Sequence, residues 1–290
     1  MPDLSWDQVR AWRVARHGLD ERSTRRRLLS VASEICGVHA QVGSAAELSL
    51  WARVEGVTPR DVRDALWKTK RLVRSWMMRG TIHLLPARDF PLYVAALATH
   101  DRWWKGAWLR AVGMSADELG ALLGAIREAL SDEPITREQL ASRVGHLVGD
   151  HAREHLLSGW GSLLKPAAFN GSLCSGPPRG QNVTFVRPDL WLGRWEEHDG
   201  DQAVREVFRR YLRAYGQSHH EEFAAWWGGA PAFARRARLA IEEELREIDV
   251  DDMKRWVLRR DLAAMQRTAP LRGSVRLLPH FDAYVRGFRP

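Results

Sequence analysis

The chain has 290 residues, 45% of them hydrophobic and 28% charged, enough to bury a sizeable core in two or three units. Its formal net charge is +8 and 39 of its 44 basic residues are Arg, a planar fork suited to phosphate and also the residue that GC-rich codons favour. Cys36 and Cys174 are too few for a disulfide framework or a four-cysteine zinc site, no apolar run approaches the ~18 residues of a membrane span, and Met1–Asp7 lacks a signal-peptide pattern.

In chain order, a helix is expected from Ser23 to about Cys36, ended by Gly37. Ser44-Ala45-Ala46-Glu47 has the form of a capping box opening the next helix, through Leu48, Leu50 and Trp51. Between them the apolar stretch Gly37–Val42 contains two polar residues, His39 and Gln41. Two positions apart, they diverge on a helix but share a face in extended backbone. They can therefore converge on one point at a helix junction, or simply satisfy backbone groups there.

Three helix starts then recur at nearly equal intervals: Thr58-Pro59-Arg60-Asp61 with a capping Thr and Pro at the first helical position, and the capping boxes Thr136-Arg137-Glu138-Gln139 and Ser218-His219-His220-Glu221. After the first, Leu72–Trp76 and Thr81–Leu85 read as strands around a turn at Arg79-Gly80. A helical insert, Asp89–Leu130, follows. After the second, a helix from about Asp150 to Leu164 leads to Ser172–Cys174 and Asn182–Val186, joined by a breaker-rich turn at Ser175–Gln181. Helix–helix–hairpin is the winged-helix plan. The fold class expected is mainly α with small β-hairpins (α+β), as tandem winged-helix modules at 1–130, 131–197 and 198–290, the last including the start of a C-terminal β segment. Of the 14 Trp, most are expected in the core and some against bases.

Several side chains are candidates for nucleic acid. Thr81 and His83 alternate with Ile82, so they share a face opposite the core, beside Arg79 on the first hairpin. Arg179 sits at the second hairpin's tip, and Arg25 opens the cluster Arg25-Arg26-Arg27, which also reads as a solvated helix face. His151-Ala152-Arg153-Glu154-His155 has the inverted zinc-peptidase spacing, with no clear third ligand after it. A solvated helix face is the first reading of it and phosphate contact the second, and no metal or cofactor is expected. Glu242-Glu243-Glu244 reads as a solvated helix face.

Gly37–Gln41, Ala45–Arg53 and Met78–Pro86, with Ala214-Tyr215-Gly216, Phe223–Trp226, Leu277-Leu278-Pro279 and Phe281-Asp282, resemble the AlkZ-type DNA glycosylases, in register over nearly the whole chain. Those enzymes carry Gln-Φ-Gln or Gln-Φ-Asp (Φ apolar) where this chain has His39-Ala40-Gln41; a branch of the family resembles this chain in having His first. The resemblance implies catalysis by His39 and Gln41 on alkylated purines in double-stranded DNA, N7-alkylguanine and N3-alkyladenine. It extends to bulky antibiotic adducts, self-resistance and interstrand crosslinks, without full extrusion of the base. It also implies tandem winged helices, further β structure after Pro290, and a cytoplasmic, nucleoid-associated protein, expected to be a monomer with no membrane partner.

The residue types suit that chemistry. An N7-alkylated guanine is cationic and already a good leaving group, so what remains is to stabilise an oxocarbenium-like sugar and place a water at C1′. Gln41 can accept from that water while donating elsewhere, and His39 can orient it or take its proton. No Lys adjoins the motif in sequence; the closest, Lys68 and Lys70, lie in an apparent helix or loop, so a monofunctional enzyme without a Schiff base is expected. The alternative from another class is a winged-helix transcriptional regulator with no catalytic activity, which the repeats and basic charge fit equally.

Overall fold

In a computed structural model of the protein, residues 3–157, 162–193, 195–271, 273 and 275–287 are described, without the side chains of residues 150 and 151. Among the described residues, an antiparallel hairpin follows helices in three places. In the first unit Thr58 caps the helix Pro59–Arg63: the Asp61 amide donates to Thr58 Oγ1 at 3.3 Å while the Thr58 amide donates to Asp61 Oδ2 at 2.9 Å. The strand Val38–His39 (β1) lies on one edge of Ile82–Pro86 (β3), and Leu72–Trp76 (β2) on the other. β2 and β3 pair antiparallel from Leu72↔Pro86 to Trp76↔Ile82. Their connection runs through Arg79 (φ +61) and Gly80 (φ +69), two successive left-handed residues of the kind that tight hairpins need.

The second unit repeats the scheme with Thr136 and Gln139 as a reciprocal cap, the helices Arg137–Val148, Asp150–Leu157 and Leu164–Phe169, and strands Ile135–Thr136 (β4), Cys174–Arg179 (β5) and Asn182–Val186 (β6) in the order β4-β6-β5. The third has helices His220–Trp227 and Pro231–Leu239 and the hairpin Leu245–Val250 (β7) with Met253–Leu258 (β8). The long helix Gly200–Tyr215 packs on Phe90–Ala98 of the insert. Its Phe208, Tyr211 and Tyr215 join Phe223, Trp226 and Trp227 in the largest core. A second core fills the first unit and also takes in Ala283 from far along the chain; a third seats the helix Trp6–Arg16 against β7 and β8. No helix among the described residues is long and apolar enough to cross a membrane. The fold is mainly helical with small antiparallel sheets, as expected.

Local details depart from expectation for physical reasons. The helix expected from Ser23 to about Cys36 spans only Leu28–Glu34, after a tight 3-10 turn at Arg25–Arg27 and with Ile35 as its C-cap. The next helix starts at Gly43 with Val42 at its cap and no side-chain cap, so Ser44 and Glu47 form no box. In the third unit the cap is His219, not Ser218: its amide donates to Glu222 Oε2 at 2.7 Å, while its ring lies against the Glu221 carboxylate. The turn expected over Ser175–Gln181 is mostly strand, because a register shift between Gly176 and Arg179 absorbs Pro177 and Pro178 and leaves Gly180-Gln181 as the tip. Of the helix expected from Asp150 to Leu164, Asp150–Leu157 is helical, residues 158–161 lie outside the described residues, and Leu164 opens the next helix. Glu242–Glu244 is a 3-10 turn, with Glu244 clamped by Arg209 and Glu242 by Arg238. Of the tryptophans, Trp12, Trp103, Trp226 and Trp227 are buried, whereas Trp51 and Trp104 are exposed.

Gly228 marks where the third unit meets the first hairpin. At φ +84, a Cβ there would stand 2.7 Å from Arg79 Cα and 3.0 Å from Arg79 N, backbone atoms that cannot swing aside. Gly228→Ala is expected to destabilise the protein by about 2 kcal/mol or more, read as a fall in the denaturant midpoint at unchanged slope.

Candidate active site

β1 brings His39 opposite His83 on β3, and the Ala40 amide donates to Ile82 O at 2.7 Å. The chain leaves the sheet at Gln41, whose carboxamide Oε1 accepts the Ile82 amide at 3.3 Å. Both polar residues of the motif are thus tied to the same short piece of β3. Gln41 is exposed, and an amide oxygen with two lone pairs keeps capacity for a water while its NH2 donates elsewhere. Gly37 permits the sharp exit from the preceding helix: at φ +93 a Cβ would sit 2.9 Å from Leu85 Cδ2.

The His39 ring is half-buried between aromatic neighbours, 5.3 Å from the His83 ring and 5.0 Å from Phe281. Burial, then the positive charges of Arg79 and Arg286 and the His280 ring, push its pKa down from 6.5 to about 4. At neutral pH it is an uncharged imidazole with a lone pair to offer. His83 is fully buried and held well below its ordinary value by desolvation first and then Arg79; its Nδ1 lies 2.9 Å from Thr81 O, which assigns the proton to that nitrogen.

Beside these rings opens a cleft of about 500 Å³, walled by Arg79, Glu222, Trp226, His280, Phe281 and Arg286. His39 borders it through Phe281. The Arg79 guanidinium donates to Trp226 O, so this arginine braces the cleft wall, and Arg286 lies 4.3 Å over the Phe281 ring. Cations beside an aromatic-lined cleft suit a polyanion with bases to stack.

The expected nucleic-acid residues divide. Thr81 and His83 do not share a face opposite the core: β3 is the central strand of its sheet, with β1 on one edge and the helix Leu28–Glu34 packed on it, so His83 is 3% exposed. Thr81 Oγ1 donates to Met78 O at 3.1 Å. Arg79 belongs to the cleft rather than to a projecting hairpin. Arg179 does stand at the β5–β6 tip, half-exposed and 3.9 Å from Glu133. Arg25 is exposed and paired with Asp61.

Asp282 does not reach the cleft. It is buried at 2% exposure, with its carboxylate gripped by Arg53 Nη1 at 2.8 Å and Nη2 at 2.7 Å and by Ser49 Oγ at 2.5 Å. It also accepts the Tyr284 amide at 2.9 Å, capping the short helix Ala283–Arg286. Phe281, His280, Arg286 and Trp226 were not singled out from the sequence. Phe281 and Trp226 do fall in the stretches that carry the family resemblance.

The spacing His151–His155 falls on the helix Asp150–Leu157, and the His151 side chain lies outside the described residues. Among the described residues, His219, His220 and Glu221 bring ligand atoms within 4.8 Å of one another. The Glu221 carboxylate already lies between both imidazoles, and burial first, then His219, Arg238 and Arg235, lowers the His220 pKa, with the two arginines opposing an added cation.

Residues 32–290 match the family described as DNA glycosylase AlkZ-like. The chain is similar to the interstrand DNA cross-link repair glycosylase of Streptomyces sahachiroi, 36% identical over 292 aligned positions that cover 98% of this chain and 77% of that protein. Its fold is similar to the solved structure of the Streptomyces sahachiroi DNA glycosylase AlkZ, with a TM-score of 0.91, 34% identity, and 99% of this chain and 78% of the other covered. A regulator without chemistry is thereby set aside: the chain belongs to the AlkZ-like family and is a DNA glycosylase.

Proposed function

We propose that this glycosylase hydrolyses the N-glycosidic bond of alkylated purines in duplex DNA, N7-alkylguanine and N3-alkyladenine, and that His39 and Gln41 hold the attacking water. The observation that carries the reading is the anchoring of an uncharged imidazole opposite His83 and an exposed carboxamide on the adjacent Ile82, with Phe281 of the cleft wall 5.0 Å from the His39 ring. A cationic purine leaves with little help, so the transition state resembles an oxocarbenium ion and asks for an oriented water more than a strong base. A histidine lowered to about 4 suits this role, because it accepts a hydrogen bond at neutral pH without drawing the proton off early. An open cleft of about 500 Å³ leaves room for bulky adducts, including those of DNA-alkylating antibiotics. The name of the Streptomyces sahachiroi relative supports interstrand crosslinks as substrates too. The units 1–130, 131–197 and 198–290 are proposed as its three winged-helix modules, with Arg179 and Arg25 on phosphates.

Incubation with duplex carrying N7-methylguanine, followed by hot alkali, tests the reading. Strand breaks at the lesion are expected, and intact strands with tight binding would sink it. The pH profile is a second check. Folding disfavours protonated His39, so the stability linked to it is complete above pH 6.5 and is lost progressively as pH falls from 6.5 through about 4, whereas the folded ring itself stays neutral until pH nears 4. The free-enzyme kcat/KM should stay level from about pH 8 down to about pH 5, where an unperturbed histidine would already have cost most of the rate. A limb centred near 6.5 contradicts a buried neutral base.

The mechanism is also proposed to be monofunctional. In space Lys165 comes against the first hairpin's turn, its Cδ 3.5 Å from where a Gly80 Cβ would be, on the side of Trp103 rather than Trp226. Sodium borohydride added during turnover should trap no protein–DNA adduct, and a trapped adduct lost in Lys165→Gln would replace water with an amine nucleophile.

A further inference from the structure

Phe281 holds φ +67, a left-handed backbone that glycine adopts freely and a bulky side chain rarely. The residues that follow it are pinned to two separate parts of the fold. Asp282 is locked into Arg53 and Ser49, the Tyr215 hydroxyl donates to Ala283 O at 3.1 Å, and a Cβ on Gly287 would fall 1.8 Å from Tyr215 Cε1, so the segment lies directly on that ring. Backbone strain that persists only because its surroundings are over-determined points to a use for the side chain it presents. Here the side chain faces His39 at 5.0 Å, with His280 stacked on it at 3.7 Å and Arg286 at 4.3 Å.

We infer that Phe281 is a positioning residue for His39, clamping the imidazole against His83 in one orientation, and that the Arg53–Asp282 pair is the staple that keeps Phe281 in its strained place. The inference rests on the proposed role of His39. An imidazole on the short edge strand β1 would otherwise sample several rotamers, and a water held by it would wander with it. The charged and titratable groups facing the ring come from three elements: His83 from β3, Arg79 from the β2–β3 turn, and His280 and Arg286 from the pinned segment. Phe281 sits among them as the apolar wall. Removing it admits water to the ring, frees its rotation and lets its titration return toward 6.5.

Phe281→Leu and Phe281→Gly, with Phe281→Tyr as the conservative replacement, can be read three ways: turnover on N7-methylguanine duplex, NMR titration of the His39 ring in the free protein, and thermal melting. In the Leu and Gly variants kcat is expected to fall about tenfold with KM changed by less than about threefold, and the His39 midpoint to rise from about 4 toward 6.5. Phe281→Tyr should keep both near wild type, and Phe281→Gly, relieved of backbone strain, should melt no lower than Phe281→Leu. Unchanged turnover and an unchanged His39 midpoint in Phe281→Gly overturn the inference. Full activity in His39→Ala would instead overturn the catalytic assignment, and the midpoint, measured without DNA, keeps the two failures apart.

Discussion

His39→Ala and Gln41→Ala are each expected to slow release of N7-methylguanine by about a hundredfold or more, with KM for the lesion duplex little changed. Each change removes one of two groups proposed to hold the water, while phosphate contacts remain to bind the DNA. Because the two side chains are proposed to act on one molecule, the double variant should lose far less than the product of the single losses. His39→Gln offers a finer comparison, since it restores an acceptor without a titrating ring. It should recover part of the rate and abolish any acid limb that His39 contributes. Wild-type rates in both single variants would remove this pair from the chemistry.

Asp282→Ala is the second large effect. It leaves the Arg53 guanidinium, at 0% side-chain exposure, without its counter-charge, a situation that costs about 3–5 kcal/mol. A fall in denaturant midpoint of that size is expected, with loss of activity beyond the loss of folded protein because Phe281 is released. Replacing both partners by apolar side chains of similar volume, Arg53→Met with Asp282→Leu, should recover most of the stability. If the double variant also recovers full turnover, the pair is a fastener and carries no orientation of its own. A single Asp282→Ala that melts like wild type would contradict the buried pair outright.

Much of the fold was legible in local chemistry. Thr58 and Thr136 declared their helices because a hydroxyl followed three residues later by an acceptor side chain satisfies two end amides at once. The first hairpin's turn was legible in Arg79-Gly80. His219 was missed by one residue because the Ser218 hydroxyl is spent on His219 O and Glu222, and it is the His219 amide that Glu222 accepts. The burial of His83 was not readable from alternation, since alternation assumes one wet face and β3 has none. In the candidate site, His39 and Gln41 stood out as polar residues in an apolar run. Phe281 and the Arg53–Asp282 pair did not, because partners 229 residues apart leave no periodic trace in the sequence.

That separation has a consequence for how the protein comes into being. Leu4 bridges to Val250, and the Trp6 amide donates to Asp251 Oδ2 across 245 residues, just as Arg53 must wait for Asp282. Segments made early on the ribosome therefore stay open until their late partners emerge, and such non-local closure is slow. A nascent chain that already carries His39 and Gln41 still lacks Phe281 beside the His39 ring and the Asp282 that neutralises Arg53, so the arrangement around the proposed site closes only after synthesis has passed residue 282.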